Sequence, residues 1–180
     1  RRLRAERSCG ELTASHYEQA KQQEIERQIS LQQKIGLDVL LYEQIERATM
    51  VELCADKLSG MTLVQNGWVA SHGLRCNKPP IIYGDVCWEA PIVVQDMKLA
   101  QQKTSKLLKC KITGPTTLLN WSYVREDVEQ SQLVMQLALA LRKEIKALEG
   151  AGVYIIQVDE PALIETLPLR KSKQRPYIQQ

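Results

Sequence analysis

The feature that most limits the fold of this chain is a short apolar segment that ends abruptly in acidic residues. Residues 153–158 read VYIIQV, and Asp159, Glu160 and Pro161 follow directly. A mostly apolar segment of this length is typical of a strand in a parallel sheet that helices cover on both faces. The preceding residues, 133–148, repeat leucine and isoleucine at three- and four-residue steps, and Gly150 follows them. This order indicates a crossover helix that leads into a buried strand.

The same alternation of apolar strands and amphipathic helices recurs along the chain. We predict further strands or extended segments at residues 37–41, 61–70, 81–86 and 110–113. We predict helices at residues 15–34, 44–58, 91–107 and 127–150. Ser15 and Glu18 form a capping box at the start of the first helix. Pro91 begins the third helix, and Asp127 caps the fourth. The predicted fold is α/β, with parallel strands alternating with helices in one domain.

Polar residues follow the predicted strands, where ligands bind in parallel sheets. The first strand is followed by Tyr42, Glu43 and Gln44. A later strand is followed by Gly114, Pro115, Thr116 and Thr117, with Trp121 nearby. An extended segment is followed by His72, Arg75 and Cys76. We therefore predict a site at one mouth of the sheet. A second interpretation stays open, in which Asp159 and Glu160 only cap the turn that begins with Pro161. Trp68 and Trp121 are likewise either core residues or platforms for a flat ring.

Composition excludes several classes of protein. The net charge of +3 comes from the ends, because residues 1–7 sum to +3 and residues 170–175 to +4, which leaves −4 for the rest. Nucleic-acid binders carry basic charge across a folded face, so no nucleic acid is expected. No apolar run is long enough for a membrane span, and the N-terminal segment is not a signal peptide. Five cysteines without a C-x-x-C pair favour free thiols and a cytoplasmic location.

Motifs for metals and nucleotides are weak or missing. His72 and Cys76 have a spacing that zinc accepts, but no second cluster completes a site, so we predict no metal ligands in this chain. The sequence also contains no Walker A loop, G-x-G-x-x-G or G-x-S-x-G pattern. The basic segment Arg170–Arg175 is interpreted as solvated.

Four blocks of sequence together resemble a known family. They are GLDVL with ER..MVE in residues 36–52, QNGWV.S.G.RC.KPPIIYGDV in residues 65–86, TGP.T.LNWS in residues 113–122, and IQ.DEPAL...LPLR in residues 156–170. The combination resembles the C-terminal catalytic barrel of cobalamin-independent methionine synthase. The resemblance implies a partial (β/α)8 TIM barrel that fills residues 1–180 as one domain, with the first strand and the last strands missing.

The resemblance also implies substrates and site residues. The family transfers a methyl group from 5-methyltetrahydropteroyl-polyglutamate to homocysteine, with zinc as cofactor. Asp159 is expected to hold the ammonium group of homocysteine or methionine. Glu165 is expected to hydrogen-bond the pterin ring, Trp121 to pack on the folate, and Arg75 with Cys76 to line its surface.

Two departures from the family pattern limit these expectations. Tyr42, Glu43 and Gln44 stand where the family reads His-Gly-Glu, and Gln44 brings no charge to an ammonium group. Amino-acid affinity is therefore in doubt unless Glu43 takes the role. The family's zinc ligands and acid histidine belong to later strands than those present here, so we expect no catalytic residue within this chain and no methyl transfer by it alone.

Two other hypotheses remain. The chain could be a diverged, non-catalytic homologue that binds folate or pairs with a partner chain that completes the barrel. Alternatively, if the block matches are coincidental, it is an unrelated regulatory α/β module.

Overall fold

The computed structural model describes residues 2–70, 73 and 76–179 of the chain. The helices are α1 (Arg2–Ser8), α2 (Ala14–Lys34), α3 (Met50–Lys57), α4 (Val94–Gln101), α5 (Pro115–Asn120), α6 (Gln130–Gly150), α7 (Pro161–Glu165) and α8 (Lys171–Ile178). The strands are β1 (Val39–Tyr42), β2 (Leu58–Thr62), β3 (Val69–Ala70), β4 (Cys76–Asn77), β5 (Ile81–Trp88), β6 (Leu107–Thr113), β7 (Tyr123–Val124) and β8 (Ile155–Asp159).

Three of the strands form a parallel sheet in the order β1-β6-β8. One face of this sheet is buried beneath the helices and carries Leu40, Leu108, Cys110 and Ile112. The parallel α/β prediction is confirmed for these strands. The described residues form no closed barrel, since the sheet has only three strands and its outer strands, β1 and β8, do not pair with each other.

The extended segments between α3 and α4 differ from the prediction. β2 and β5 pair antiparallel, and β7 adds to β5 in parallel, so they form a second sheet. β3 and β4 form a separate antiparallel pair. Among the described residues between β2 and β5 there is no long crossover helix, and antiparallel pairing is the arrangement that a shorter connection allows. Gly60 sits at the irregularity in β2 with φ +77°, and a Cβ there would lie 2.2 Å from the Asp85 carbonyl oxygen.

Four predicted helix starts are wrong, each because another group satisfies the backbone or the side chain. α2 begins one residue before Ser15, where the Thr13 hydroxyl accepts a hydrogen bond from the His16 amide at 3.3 Å. Asp127 does not cap α6, because its carboxylate is hydrogen-bonded by the guanidinium of Arg125.

The third wrong start is that of α4, which begins at Val94 and not at Pro91. The amides of Ile92 and Val93 donate to the carboxylate of Glu144 at 2.8 and 2.9 Å, so they stay outside the helix. The helix predicted to start at residue 44 also begins later, at Met50, with Thr49 as its cap.

The core lies between the parallel sheet, the second sheet and α6. The apolar stripe of α6 is confirmed, because Leu133, Leu137, Leu141 and Leu148 are buried and Ile145 is partly buried. At the β1 edge of the sheet, the side-chain amide of Gln32 bonds both the amide and the carbonyl of Leu41, at 2.7 and 2.8 Å. This contact covers one sheet edge. The β8 edge has no such cover among the described residues.

Candidate functional site

The carboxyl ends of β1, β6 and β8 meet at one mouth of the parallel sheet. The register aligns Tyr42 with Cys110, and Thr113 with Asp159. The amide of Gly114, the next residue after β6, donates to the Asp159 carbonyl at 2.8 Å. The loops that leave these strands therefore start side by side, as the sequence predicted.

Glu160 joins the end of β8 to the N-terminus of α5. Its carboxylate accepts hydrogen bonds from the Thr116 amide at 2.9 Å, the Thr117 amide at 2.7 Å and the Thr117 hydroxyl at 2.7 Å. The Thr117 hydroxyl in turn accepts from the Ala162 amide at 3.2 Å. A carboxylate suits this position because the first amides of a helix lack partners within the helix. We call this set of contacts the Glu160 clamp.

Gly114 leaves the space in which the clamp forms. A Cβ at this position would lie 2.3 Å from Oε1 of Glu160, which is closer than any normal contact. The Glu160 carboxylate therefore lies directly against the backbone at the start of α5. Glu160 is the N-cap residue of α7 by position, but its side chain makes no capping hydrogen bond to α7 and caps the start of α5 instead.

The clamp holds α5, and Trp121 follows at the end of that helix. The indole Nε1 of Trp121 donates to Oε2 of Glu165 at 3.1 Å. Trp121 also lines a groove of about 180 Å³ whose other walls come from α3 and from the β3–β4 pair; the wall residues are Thr49, Val51, Val69, Ala70, Asn77, Lys78 and Pro79. Two residues that the sequence assigned to the folate thus touch each other beside a groove.

The Asp159 carboxylate lies on the exposed face of the sheet, beside a lysine. Its Oδ1 accepts from Nε2 of Gln157 at 2.6 Å, and its Oδ2 lies 3.8 Å from Nζ of Lys111. The same lysine donates to Oε1 of Glu43 at 3.1 Å. The polar residues of this face therefore bond one another.

The other predicted residues lie in different settings. Gln44 is buried and its amide is used within the loop after β1, with its Nε2 donating to the Arg47 carbonyl and its Oε1 accepting from the Arg47 amide. Cys76 is exposed on β4 and pairs with Ala70 of the groove wall. Arg75 and His72 lie outside the described residues.

Behind the mouth, buried polar groups stabilise the helical layer. The hydroxyl of Tyr42 donates to Asp96 at 2.8 Å, and Nζ of Lys21 lies 3.0 Å from the other Asp96 oxygen. Burial, followed by the charge of Asp96, raises the pKa of Tyr42. Burial alone would lower the pKa of Lys21, but the hydrogen bond and charge of Asp96, with help from Glu18 and Glu46, raise it overall.

Glu144 is another buried acid, and it is fully enclosed. Besides the two amides before α4, its carboxylate accepts from the indole Nε1 of Trp88 at 2.8 Å. Burial, followed by the charge of Glu144, raises the pKa of both Cys54 and Cys110 to about 12. Both thiols are therefore protonated at neutral pH and are poor nucleophiles.

The sequence analysis did not predict the contacts of three charged residues. They are Lys111, Glu160 with its clamp, and Glu144. Lys111 carried a usable signal, because it is one of two lysines in a mostly apolar strand, and a charged side chain in such a strand needs a partner. Glu144 interrupts the apolar stripe of α6, where a charge on the buried face indicates fixed donors nearby. The Glu160 contacts carried no such signal, because they depend on how α5 and β8 meet.

The described residues do not fit a metal centre. No three His, Cys, Asp or Glu side chains within residues 2–70, 73 and 76–179 come close enough together to hold a metal ion. We therefore derive no step of chemistry through zinc in this chain.

Residues 1–180 match the protein family described as "Cobalamin-independent synthase, Catalytic domain". The chain belongs to this methionine synthase family. Two related sequences are both named 5-methyltetrahydropteroyltriglutamate–homocysteine methyltransferase. The one from Thermosynechococcus vestitus is 46% identical over 178 residues, and the one from Streptococcus mutans is 49% identical over 178 residues. Each match includes 99% of this chain but only 24% of the relative, so the chain spans about a quarter of their length.

Solved methionine synthase structures share the fold. A B12-independent methionine synthase from Shewanella sp. W3-18-1, in complex with selenomethionine, superimposes with a TM-score of 0.78 and 24% identity, over 93% of this chain and 49% of that one. A putative vitamin-B12 independent methionine synthase from Listeria monocytogenes superimposes with a TM-score of 0.70 and 18% identity. That match covers 94% of this chain and 50% of the other. Within the described part of the chain, no helix combines the length and apolar character that a membrane span requires.

Proposed function

We propose that this chain forms the methylfolate-binding part of a 5-methyltetrahydropteroyltriglutamate–homocysteine methyltransferase. The observation that carries the proposal is the hydrogen bond between Trp121 and Glu165, at the wall of the groove between α3 and the β3–β4 pair. Family membership over the whole chain supports it. Because relatives are about four times longer, the complete reaction is proposed for the longer enzyme and not for this chain alone.

Each residue of the site has a physical role in the proposal. The indole of Trp121 offers a flat face for the pterin ring, and its edge is fixed by Glu165. Oε1 of Glu165 has no partner among the described residues and accepts hydrogen bonds from pterin N–H groups. Cys76 lies on β4, paired with Ala70 of the groove wall, and a role toward the glutamate tail is proposed for it and for Arg75, since a guanidinium suits carboxylates. Asp159 at the end of β8, with Gln44 in the loop after β1, marks the amino-acid end in this proposal.

A binding measurement tests the folate role. Calorimetric titration with 5-methyltetrahydropteroyl-triglutamate measures the affinity of the original chain and of Trp121→Ala. Tyr154→Ala is the control variant. Tyr154 is an exposed aromatic residue one position before β8, at the opposite end of the sheet. We expect Trp121→Ala to weaken binding by roughly tenfold, about 1.4 kcal/mol, and Tyr154→Ala to leave it unchanged. Equal affinity of Trp121→Ala and the original chain would refute the stacking role.

The alternative function is that of a folate-binding homologue whose sheet is completed by another chain. The open β8 edge favours it, because Val158 is 45% exposed and Ile164 is 79% exposed nearby. Exposed apolar side chains beside an unpaired edge invite association. Size-exclusion chromatography distinguishes the two proposed functions. A stable, discrete oligomer supports the partner-completed homologue, and progressive aggregation supports the proposal that the chain is part of a longer enzyme. In both cases we propose that the chain alone transfers no methyl group and that it is cytoplasmic, as its free thiols favour.

A further inference from the structure

A second groove lies between strand β5 and helix α6. One edge of β5 pairs with β2, whereas β7 covers the other edge only at residues 81–82. Farther along that strand the amide of Val86 donates to Oε1 of Gln136 at 2.9 Å, so α6 lies beside the part that β7 leaves open. The groove has a volume of about 550 Å³ and shares no lining residue with the groove beside Trp121. We call it the β5–α6 groove.

Internal contacts hold the walls of this groove in place. Gln136 bonds the strand twice, because its Nε2 also donates to Oδ1 of Asp85 at 3.0 Å. The indole Nε1 of Trp88, another lining residue, donates to the enclosed carboxylate of Glu144 at 2.8 Å. Leu139 of α6 adds an exposed apolar side chain to the wall. A groove whose walls are already fixed binds a ligand at a lower cost in conformational entropy.

Three cations of α6 line the groove without a partner. Arg142, Lys143 and Lys146 are exposed, and none of them forms an ion pair or a hydrogen bond with another described residue. Spacings of three and four residues put these like charges side by side on the helix, which destabilises it. Asp85 is the one acid among the described lining residues, so the groove has a formal charge of +2.

Neither the helix dipole nor pairing within the helix accounts for these cations. The last turn of α6 contains no basic residue, and the effect of the dipole is confined to that turn. In the other long helix, α2, Lys21 and Arg27 each pair with a glutamate three positions earlier. The corresponding positions on α6 hold Leu139, Ala140 and Lys143. The charge of the groove is therefore unbalanced within the described chain, and an anionic ligand would balance it.

We propose that the β5–α6 groove binds a small aromatic anion that carries two or more negative charges. The three cations bind its carboxylate or phosphate groups, and the guanidinium of Arg142 bonds either group in a bidentate way. The aromatic ring lies against the apolar surface of Trp88 and Leu139. Small-molecule sites have volumes of about 300–1,000 Å³, a range that includes this groove. The site is separate from that of the proposed function and does not depend on it.

Protection of Cys87 measures occupancy of the groove, because this exposed thiol is one of its lining residues. The 180-residue chain is used with Cys9→Ser and Cys76→Ser, since both of these cysteines are also exposed. Alkylation of Cys87 by uncharged iodoacetamide is followed by mass spectrometry. The probes are two aromatic polyanions, ATP with phosphate groups and benzene-1,3,5-tricarboxylate with carboxylate groups.

We expect at least one probe to slow this alkylation roughly tenfold at saturating concentration, and the probe that protects identifies the anionic group. Tripolyphosphate has the charge without a ring, and adenosine has a ring without the charge. Each of them should need a concentration roughly tenfold higher than the protecting probe for half protection. The proposal is overturned if neither probe protects Cys87, or if tripolyphosphate protects it at the same concentration as ATP.

Two triple variants locate the binding. The groove variant replaces the three cations of the groove: Arg142→Gln, Lys143→Gln and Lys146→Gln. The control variant removes the same charge from three exposed positions near the C-terminus: Arg170→Gln, Lys171→Gln and Lys173→Gln. The concentration for half protection should rise roughly tenfold in the groove variant and stay unchanged in the control variant. Far-UV circular dichroism checks the folding, and Lys143→Gln alone is the second variant if the groove variant does not fold.

Two results with these variants would overturn the proposal. One is equal protection in the groove variant and the original chain, and the other is an equal loss in the control variant. Trp121→Ala separates the two grooves, because it should leave the protection of Cys87 unchanged; a loss of protection would place the probe beside Trp121 and also overturn the proposal. Protection of Cys87 in a chain that does not bind 5-methyltetrahydropteroyl-triglutamate refutes only the proposed function.

Discussion

Removal of the Glu160 carboxylate is the sharpest test of how the candidate site is assembled. In Glu160→Ala, the amides of Thr116 and Thr117 and the buried Thr117 hydroxyl lose their common acceptor. Hydrogen bonds to a charged group contribute about 1.5–3 kcal/mol each, but three bonds to one carboxylate are not additive. Because Glu160 is partly exposed, water replaces some of these contacts, and we expect a net loss of about 3 kcal/mol.

Thermal unfolding followed by circular dichroism measures this loss. For a chain of this size, about 3 kcal/mol corresponds to a decrease in Tm of about 6–12 °C. Glu160→Gln should lose about half as much, on the order of 1–2 kcal/mol, because its single oxygen can keep the Thr117 bonds while its NH2 group faces the Thr116 amide. Glu126→Ala is the matched control, since Glu126 is an exposed glutamate with no contact to the clamp.

A double-mutant cycle with Gly114→Ala tests the geometry of the clamp itself. The added methyl group would lie 2.3 Å from the Glu160 carboxylate, so it must displace that carboxylate. Gly114→Ala should therefore destabilise the original chain clearly and the Glu160→Ala chain much less. Our reasoning is wrong if Glu160→Ala has the stability of Glu126→Ala, or if the two substitutions add independently.

The remaining predictions concern the buried groups behind the mouth. Glu144→Gln should lower the free energy of unfolding by about 2–4 kcal/mol in urea denaturation, because an amide NH2 must face at least one of three N–H donors; a loss below about 0.5 kcal/mol would contradict this. Tyr42→Phe should cost about 1 kcal/mol at pH 7, measured in the same way, since only the hydroxyl contact to Asp96 is lost. The folded-state pKa of Tyr42 is raised above the unfolded value of 10.0, so its stabilisation is complete below pH 10.0 and is lost as the pH rises above it. The alkaline decrease in stability should accordingly be shallower in Tyr42→Phe than in the original chain, and identical slopes would refute the assignment. Native labelling with a thiol reagent should modify three cysteines quickly and the buried Cys54 and Cys110 only on unfolding; fast modification of all five would show that the core is open.

Much of the architecture follows from local sequence patterns. Strands β1, β6 and β8 and helix α6 were predictable because their apolar periodicity reflects which faces must leave water. The pairing partners of β2 and β5 were not, since an apolar extended segment is the same in a parallel and an antiparallel sheet. Helix starts failed where a distant acid, Glu144, competes with the helix for backbone amides.

The candidate site likewise has features that the sequence predicts and features that it does not. The sequence by itself determined that acidic, aromatic and amide-rich residues follow the strands of a parallel sheet, because strand direction places all their carboxyl ends at one edge. Only the tertiary structure decided how those residues satisfy one another: Glu160 with the start of α5, Trp121 with Glu165, and Lys111 between Glu43 and Asp159. The physical reason is that hydrogen bonds and ion pairs depend on ångström-scale distances between side chains far apart in sequence, which periodicity does not encode.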